Sequence, residues 1–150
     1  MRSVTSIHYI YKNIEAMFKR VDPGKEHDHL APSLFTYMEF IYYKNDILHE
    51  EVNQSTIEKE FVLPKASVNN ALTHLEEKGY VNRVEDKLDK RKKLVSLTPE
   101  GKEIYLKIAK DHDIVSEALF KGFDKKERET LAKLLNKVVI NIRKEKLNDK

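Results

Sequence analysis

The stretch STIEKEFVLPKASVNNALTHLEEKGYVNR, residues 55–83, decides how this chain folds. Asn53 lies just before it and is a suitable N-cap for a short helix over the next two turns. Pro64 interrupts the pattern and fits the first position of a second helix, which continues through Lys65 until Gly79 stops it. Two short helices joined by a tight turn, the second amphipathic, form a helix-turn-helix.

The sequence period changes after Gly79. Tyr80 to Glu85 and Lys93 to Leu97 are short, partly β-branched runs on either side of a polar segment, which predicts a β-hairpin. Thr98-Pro99-Glu100 then favours a helix start, because a hydroxyl cap, a proline and an acid all suit a helix N-terminus. That helix is expected to reach about Gly122, and Asp124 caps a last helix.

Two further helices are predicted upstream. From Val4 to Val21 apolar residues recur at steps of three and four, which is typical of an amphipathic helix. Ser33 is the expected N-cap of a second helix from Leu34 to about Lys44. The whole order predicts a mainly α fold with a small β-hairpin wing, a winged helix-turn-helix with additional N- and C-terminal helices.

Composition bounds the function. Of 150 residues, 40% are hydrophobic and 35% are charged, which suits a folded helical protein better than a disordered one. The net charge is only +3, so the distribution of charge must carry any argument about partners. There is no cysteine, which excludes a disulfide, a thiolate zinc site and a thiol redox switch. No segment has the apolar run of a signal peptide or membrane span, and we expect a cytoplasmic protein without a membrane partner.

The second helix of the helix-turn-helix carries short polar and basic groups opposite its apolar face. Such groups reach base edges in the major groove, where asparagine pairs with adenine and serine or threonine contacts a base or a phosphate. An ordinary solvated helix face is the alternative interpretation. The candidate DNA-reading residues of this helix are Lys65, Ser67, Asn69, Asn70, Thr73 and His74.

The hairpin loop is basic. Between residues 83 and 93 basic side chains outnumber acidic ones, and a basic loop beside a reading helix suits phosphates and the minor groove. A charge run is by itself usually solvated surface, but its place next to the helix favours nucleic acid. The candidate DNA-binding residues of the loop are Lys87, Lys90, Arg91 and Lys92.

These segments resemble the MarR family of winged helix-turn-helix regulators in three ordered motifs. Residues 75–83, LEEKGYVNR, match the family's Leu-Glu-x-x-Gly pattern followed by two apolar residues, a variable one and Arg. Residues 89–91, DKR, match the Asp-x-Arg signature of the wing. Residues 97–101, LTPEG, match the Leu-Thr-x-x-Gly helix start. With the flanking helices in the same order, the resemblance covers effectively the whole chain.

The resemblance implies a double-stranded DNA-binding transcriptional regulator and no enzyme activity. It implies that Arg91 reaches into the minor groove, that Asp89 braces that arginine, and that Ser67, Asn69, Asn70 and Thr73 face the major groove. The expected mechanism is a repressor on a pseudo-palindromic operator, released by a small effector. A winged-helix protein–protein module without DNA affinity is the alternative function.

The first and last helices carry more apolar surface than one small domain can cover, which indicates a homodimer. A two-fold protein also matches a two-fold operator, and the resemblance implies the same assembly. Packing of both helices within one core is the alternative. We expect residues 1–32 and 100–150 to form the dimerisation region and residues 33–99 the DNA-binding domain. The candidate interface residues are Val4, Ile7, Tyr11, Ile14, Leu131, Leu135, Val138 and Ile142.

Two kinds of regulatory ligand are considered. A small aromatic or amphipathic effector, of the kind that family members bind, would occupy a pocket near Tyr11, Phe35, Met38 and Tyr42, although aromatic side chains in helices more often form core. Residues 26–29, EHDH, offer two imidazoles, yet zinc needs three or four converging ligands. We therefore predict no metal site and no cofactor.

Overall fold

The computed structural model describes residues 7–21, 30, 32–61 and 63–145. In these ranges the chain is mainly α-helical with one two-stranded antiparallel hairpin, so the predicted fold class is confirmed. None of the described helices is both long and apolar enough to cross a membrane. In chain order the elements are α1 (Ile7–Val21), α2 (Pro32–Tyr42), a π-helical turn (Tyr43–Ile47), α3 (Gln54–Phe61), α4 (Lys65–Glu77), β1 (Val81–Glu85), β2 (Lys93–Leu97), α5 (Pro99–Leu119) and α6 (Lys125–Lys144).

Side-chain caps start two of the helices as predicted. Asn53 Oδ1 accepts a hydrogen bond from the Thr56 amide at 3.0 Å, and the Thr56 hydroxyl accepts one from the Asn53 amide at 3.5 Å. At α6, Asp124 Oδ1 accepts from the Glu127 amide at 2.8 Å, and Glu127 Oε2 accepts from the Asp124 amide at 2.9 Å. These reciprocal pairs satisfy amides that a helix N-terminus leaves without intrahelical partners.

Gly79 ends α4, as expected. Its φ of +75° is a left-handed conformation that glycine adopts without a steric penalty. The Gly79 amide donates to the Glu76 carbonyl at 2.9 Å, and the Tyr80 amide donates to the Leu75 carbonyl at 2.9 Å. This pair of bonds is the Schellman arrangement, and it turns the chain from α4 directly into β1.

The start of α5 is joined to the end of α4. The Thr98 hydroxyl donates to the Gly79 carbonyl at 2.6 Å and accepts from the Gly101 amide at 2.9 Å. The Thr98 amide donates to the Tyr80 carbonyl at 3.0 Å. Gly101 lies so close that a Cβ built on it would stand 2.0 Å from the Tyr80 oxygen. The residues that follow α4 and those that begin α5 therefore form one compact joint.

The second helix differs from the prediction at both ends. It begins at Pro32, so Ser33 lies inside its first turn and does not cap it. Beyond Tyr42 it continues as a π-helical turn that the sequence pattern did not indicate. One tertiary and one local contact involve this turn: Lys102 of α5 forms an ion pair with Asp46, and the Asn45 amide group donates to the nearby Glu50 carbonyl at 2.8 Å.

Two other boundaries are corrected by one to a few residues. Pro64 immediately precedes α4 and is not its first residue; its carbonyl accepts from the Ser67 and Val68 amides at 3.0 and 3.2 Å. α5 ends at Leu119, before Gly122, which has a φ of +87° in the turn to α6. The proline still marks the break between the two helices, and the glycine still marks the second turn.

The hydrophobic core lies between α2, α3, α4 and the hairpin, a region that we name the winged lobe (Pro32–Leu97). In the hairpin Val81 pairs with Leu97 and Glu85 with Lys93, and the Val95 amide donates to the Val52 carbonyl at 2.7 Å. The apolar faces of α3 and α4 contribute to this core. Its buried members are Leu34, Tyr37, Met38, Ile41, Val52, Ile57, Val68, Leu72, Leu75, Tyr80, Val81, Val95 and Leu97.

The helices α1 and α6, which we name the terminal helices, are packed very differently. α1 lies against α5, where Phe18 contacts the His112 ring with centroids 4.2 Å apart. α6 touches the end of α5, and Arg128 donates to the Phe120 carbonyl at 3.0 Å. No described side chain of either terminal helix is fully buried within this chain.

Candidate nucleic-acid interface

The predicted reading residues lie on the outer side of α4. Val68, Leu72 and Leu75 turn into the core, and helical periodicity places the polar residues on the opposite face. Thr73 is half-buried. The exposed predicted residues of this helix are Lys65, Ser67, Asn69, Asn70 and His74.

A cleft of about 420 Å³ separates α4 from the hairpin and the start of α3. It brings Asn69, from the reading helix, and Arg91, from the hairpin loop, to one surface. The other predicted DNA-binding residues are not among the described residues that line the cleft: Ser67, Asn70, Thr73, His74, Lys87 and Lys90. The described residues that line the cleft are Asn53, Gln54, Ser55, Glu58, Lys65, Asn69, Arg83, Arg91, Lys92 and Lys93.

The wing, meaning β1, β2 and the loop 86–92 between them, has an ordered tip. Asp86 Oδ1 accepts from the Leu88 amide at 2.7 Å. Asp89 Oδ1 accepts from the Arg91 amide and from Arg91 Nε, both at 3.1 Å. These bonds to Arg91 hold the pKa of the Asp89 carboxyl below its ordinary value. The Arg91 side chain is nevertheless 91% exposed, so its guanidinium faces solvent.

Arg83 also lines this cleft, although its place in the sequence did not assign it to the site. Its Nη1 donates to Asn69 Oδ1 at 3.0 Å and its Nη2 to the Thr73 hydroxyl at 3.0 Å. Nε and Nη2 both donate to Glu76 Oε2, at 2.9 and 2.5 Å. One guanidinium on β1 thus links three side chains along one face of α4.

A sequence signal for this network exists. Glu76 and Arg83 are the acid and the base of the motif at residues 75–83, one in the last turn of α4 and the other in β1. The turn at Gly79 reverses the chain between them, so an ion pair across the turn is the simple physical use of both charges. The attachment to Asn69 and Thr73 needs the tertiary structure to be seen.

Three residues of the predicted effector pocket lie on α2, where Tyr105 of α5 contacts the rings of Phe35 and Tyr42 with centroids 5.4 and 4.6 Å away. Phe35 and Met38 are buried, and Tyr11 is exposed on α1. Tyr42 lines a separate groove of about 420 Å³ between α2, the π-helical turn, α3 and α5. Burial raises the pKa of the Glu39 carboxyl beside it. The described residues that line this groove are Thr36, Glu39, Phe40, Tyr42, Tyr43, Ile47, Glu60, Phe61 and Tyr105.

Histidine ligands for a metal are not grouped in the described part of the chain. His112 is enclosed by the rings of Phe18 and Phe35, with centroids 4.2 and 3.9 Å away, and burial lowers its pKa. Over the described residues no cluster of three or more His, Asp or Glu side chains could hold an ion. Residues 26–29, EHDH, lie outside the described residues.

The predicted interface residues remain largely accessible. Ile7 is 74% exposed and Leu135 is 54% exposed, and Ile14 and Leu131 are half-buried. Val4 lies outside the described residues. The other exposed members of the predicted set are Tyr11, Val138 and Ile142.

Comparison with known proteins agrees with this architecture. Residues 37–92 match the sequence model of the MarR family. The uncharacterised HTH-type transcriptional regulator YybA of Bacillus subtilis is 24% identical over 116 residues, which cover 77% of this chain and 74% of that protein. The HTH-type transcriptional regulator SarZ of Staphylococcus haemolyticus is 28% identical over 119 residues, covering 78% of this chain and 74% of SarZ.

A solved structure extends the likeness to the whole fold. BpsR of Bordetella bronchiseptica, whose DNA binding is regulated by 6-hydroxynicotinic acid, superposes with a TM-score of 0.73 at 19% identity. The superposition covers 92% of this chain and 96% of the BpsR chain. The superposition shows the shared winged helix-turn-helix fold. With the family match over residues 37–92, which hold the helix-turn-helix and the wing as far as its loop, these findings support a transcriptional regulator similar to the MarR family.

Proposed function

We propose that this protein binds a pseudo-palindromic DNA operator as a homodimer in the cytoplasm, with α4 in the major groove and the wing at the minor groove. The observation that carries this proposal is the cleft shared by Asn69 of α4 and Arg91 of the wing. A polar helix face and a cationic loop that open onto one surface match the two grooves that a duplex presents side by side.

The electrostatics of the surface support DNA as the partner. Arg91 is almost fully exposed, and Lys92, Lys93 and Lys65 line the same cleft. Cations that contact phosphates release condensed counterions, which supplies affinity that does not depend on sequence. Asn69, Asn70 and Ser67 on α4 supply short polar groups for the base edges. Affinity and specificity would thus come from neighbouring parts of one surface.

The exposed apolar faces of the terminal helices support a dimer. Ile7 on α1 and Leu135 on α6 remain largely exposed in the isolated chain. Exposed apolar helix faces of this kind typically mark an interaction site. A second copy of the chain would cover it and would set the distance between the two α4 helices. We therefore place the dimerisation region in residues 1–32 and 100–150 and the DNA-binding domain in residues 33–99.

We further propose that the protein is a repressor released by a small effector. The aromatic-lined groove around Tyr42 is a suitable place for the effector, since it lies between the winged lobe and α5. Effector binding can release DNA only if the effector prefers the arrangement of the two α4 helices that fits the operator less well. Because Glu39 and Glu60 line the groove, neutral and cationic aromatic compounds are the first to test, with an aromatic acid for comparison.

Selection of bound fragments from random double-stranded DNA, at one stated salt concentration, tests the proposal. We expect enrichment of a two-fold repeat whose half-site centres lie about 34–36 Å apart, because that is one helical turn. Enrichment of single half-sites would contradict the dimer. If the protein retains no duplex above background, DNA binding is wrong, and the alternative of a winged-helix protein–protein module takes its place.

Titration of preformed protein–operator complexes with the aromatic compounds tests the effector separately. A compound that bound in the groove should weaken the complex, and Tyr42→Ala should reduce its effect without changing operator affinity in its absence. If no neutral, cationic or acidic aromatic compound weakens the complex, release by such an effector is wrong.

A further inference from the structure

Arg83 is bonded to the reading helix in a way that bears on which bases the protein selects. Its guanidinium lies on β1 and donates to Asn69, Thr73 and Glu76 of α4. These residues follow one another at spacings of four and three and so lie on one face of the helix. The Arg83 side chain is only 14% exposed, in contrast to the wing arginine Arg91.

The contact with Arg83 fixes the orientation of the Asn69 amide group. A guanidinium has only N–H donors, so a side-chain amide beside it must turn its oxygen toward it. Asn69 Oδ1 is the atom that accepts from Arg83 Nη1, at 3.0 Å. The Asn69 NH₂ group is then left to donate elsewhere, and Asn69 lines the cleft that faces outward. The hydroxyl of Thr73 is likewise an acceptor toward Arg83 and keeps its own proton to donate.

Glu76 makes this arrangement possible without an uncompensated charge. Its Oε2 accepts from both Nε and Nη2 of Arg83 and anchors the guanidinium to the last turn of α4. A paired and largely covered guanidinium is poorly placed to neutralise a phosphate. Arg83 therefore differs in kind from Lys87, Lys90 and Arg91, which are exposed on the wing.

We propose that Arg83 is a specificity-determining residue, which presents Asn69 to the major groove as a hydrogen-bond donor and so favours guanine at the base pair that Asn69 faces. Guanine offers only acceptors, N7 and O6, on its major-groove edge. The paired asparagine–adenine contact expected from sequence also needs the amide oxygen as an acceptor, and that oxygen is turned toward Arg83. This inference rests on the proposed placement of α4 in the major groove.

The test compares base preferences selected from random duplex DNA by wild type, Asn69→Ala, Arg83→Lys and the neighbouring control Asn70→Ala. The Asn69→Ala selection identifies the operator position that faces Asn69. In wild type this position should be guanine, preferred over the other bases by roughly tenfold, the size of one good base contact. A compact lysine ammonium cannot hold Asn69, Thr73 and Glu76 together as the planar guanidinium does, so Arg83→Lys should reduce that preference to near onefold. The base preference that Asn70→Ala removes, at its own operator position, should be unchanged in Arg83→Lys.

The salt dependence of binding separates a positioning role from a phosphate contact. Arg83→Lys and Glu76→Gln should both keep the wild-type slope of log affinity against log salt. Lys90→Gln, a charge change on the exposed wing, should reduce the slope by about 1 and weaken all sequences alike. Thermal unfolding measured beside these assays checks that each variant is folded. If Arg83→Lys is unfolded, Glu76→Gln, which removes only the charge that anchors Arg83, provides the test: it should also reduce the guanine preference at the position that faces Asn69.

Three results overturn the inference. The first is adenine at the Asn69 position with a preference that survives Arg83→Lys. The second is a uniform loss of affinity with a lower salt slope in Arg83→Lys, which would make Arg83 a phosphate contact. The third is wild-type protein that binds duplexes but selects no sequence, because specific recognition is then absent and this inference fails with it. If the wild type binds no duplex, the proposed function itself is wrong.

Discussion

The winged lobe and the terminal helices use their apolar residues in opposite ways. In the winged lobe Met38, Ile41 and Leu72 are fully buried against one another, and the hairpin closes the core. On α1 and α6, apolar side chains such as Ile7 and Leu135 remain exposed although their spacing is just as regular. An amphipathic stripe therefore predicts that a helix face will be covered, but not by what.

The difference indicates which part of the molecule buries its apolar surface within a single chain. The winged lobe buries a core of its own and Lys102 of α5 pairs with its π-helical turn, whereas the terminal helices keep apolar side chains exposed among the described residues. Changes in the lobe should therefore act on the stability of the fold, and changes on the terminal helices should act on assembly. Changes at exposed residues of the wing loop, residues 86–92, should affect neither and should act on DNA binding.

The largest effect is expected at Gly101, in the joint between α4 and α5. Gly101→Ala places a Cβ about 2 Å from the Tyr80 carbonyl oxygen, and backbone on both sides cannot move away freely. We expect a loss of at least about 3 kcal/mol in the free energy of unfolding, at the upper end of the range for overpacking. Denaturant titration measures it.

Gly122→Ala is the matched control in the turn before α6. Gly122 has a positive φ but nothing within 4 Å of the position that its Cβ would take. Only backbone strain applies there, about 1–2 kcal/mol. Equal effects of the two substitutions would contradict the role of the joint.

The next effect concerns assembly. Leu135→Asp puts a charge on the exposed apolar face of α6 and should weaken the dimer by at least about 2 kcal/mol, the size of an interface hot spot. Sedimentation equilibrium over a range of protein concentrations measures it. Leu88→Asp is the control, because Leu88 is 97% exposed at the wing tip and far from the proposed interface. A dimer as strong in Leu135→Asp as in wild type would contradict the assignment of α6.

A smaller effect is expected at the wing. Arg91→Ala removes an exposed cation and should weaken binding to all duplexes by about 1.5 kcal/mol and lower the salt slope. Fluorescence anisotropy at several salt concentrations measures both quantities. Lys121→Ala, the loss of one exposed charge in the turn between α5 and α6, should leave them unchanged. Equal losses in the two variants would mean that only net charge matters.

The smallest effect concerns pH and the place where the two regions meet. His112 of α5 lies between Phe18 of α1 and Phe35 of α2, and burial lowers its pKa, with Asp111 and Asp113 opposing the shift. A histidine held neutral contributes its full stability above the unfolded-state pKa of about 6.5 and loses it as pH falls below that value. Denaturation midpoints at about pH 8 and pH 5.5 should therefore differ less in His112→Phe than in wild type. An equal fall in both proteins would contradict this assignment.

Local chemistry made much of the fold predictable. Helix ends are set by contacts within a few residues, and such contacts can be predicted from the chain alone. Side chains cap three helix N-termini, at Asn53, Thr98 and Asp124, and Gly79 ends α4. The π-helical turn after Tyr42 was not predictable in this way. It includes Asp46, which forms an ion pair with Lys102, a residue far away in sequence.

The candidate site was predictable as a surface but not as a network. Periodicity places Asn69 and Thr73 outward, but only the packing of β1 beside α4 brings Arg83 to both of them. The aromatic residues illustrate the same limit. Phe35 and Tyr42 belong to one amphipathic pattern, yet the first is buried and the second lines a groove.

Hydrogen exchange measured with and without a duplex recovered by selection would locate the DNA on the protein. If α4 and the wing loop contact the duplex, backbone amides of residues 65–77 and 86–92 should exchange more slowly in the DNA complex than in the free protein. Amides of α6 should exchange at the same rate in both. Slower exchange confined to the terminal helices, with α4 and the wing unchanged, would show that the duplex does not bind at α4 and the wing.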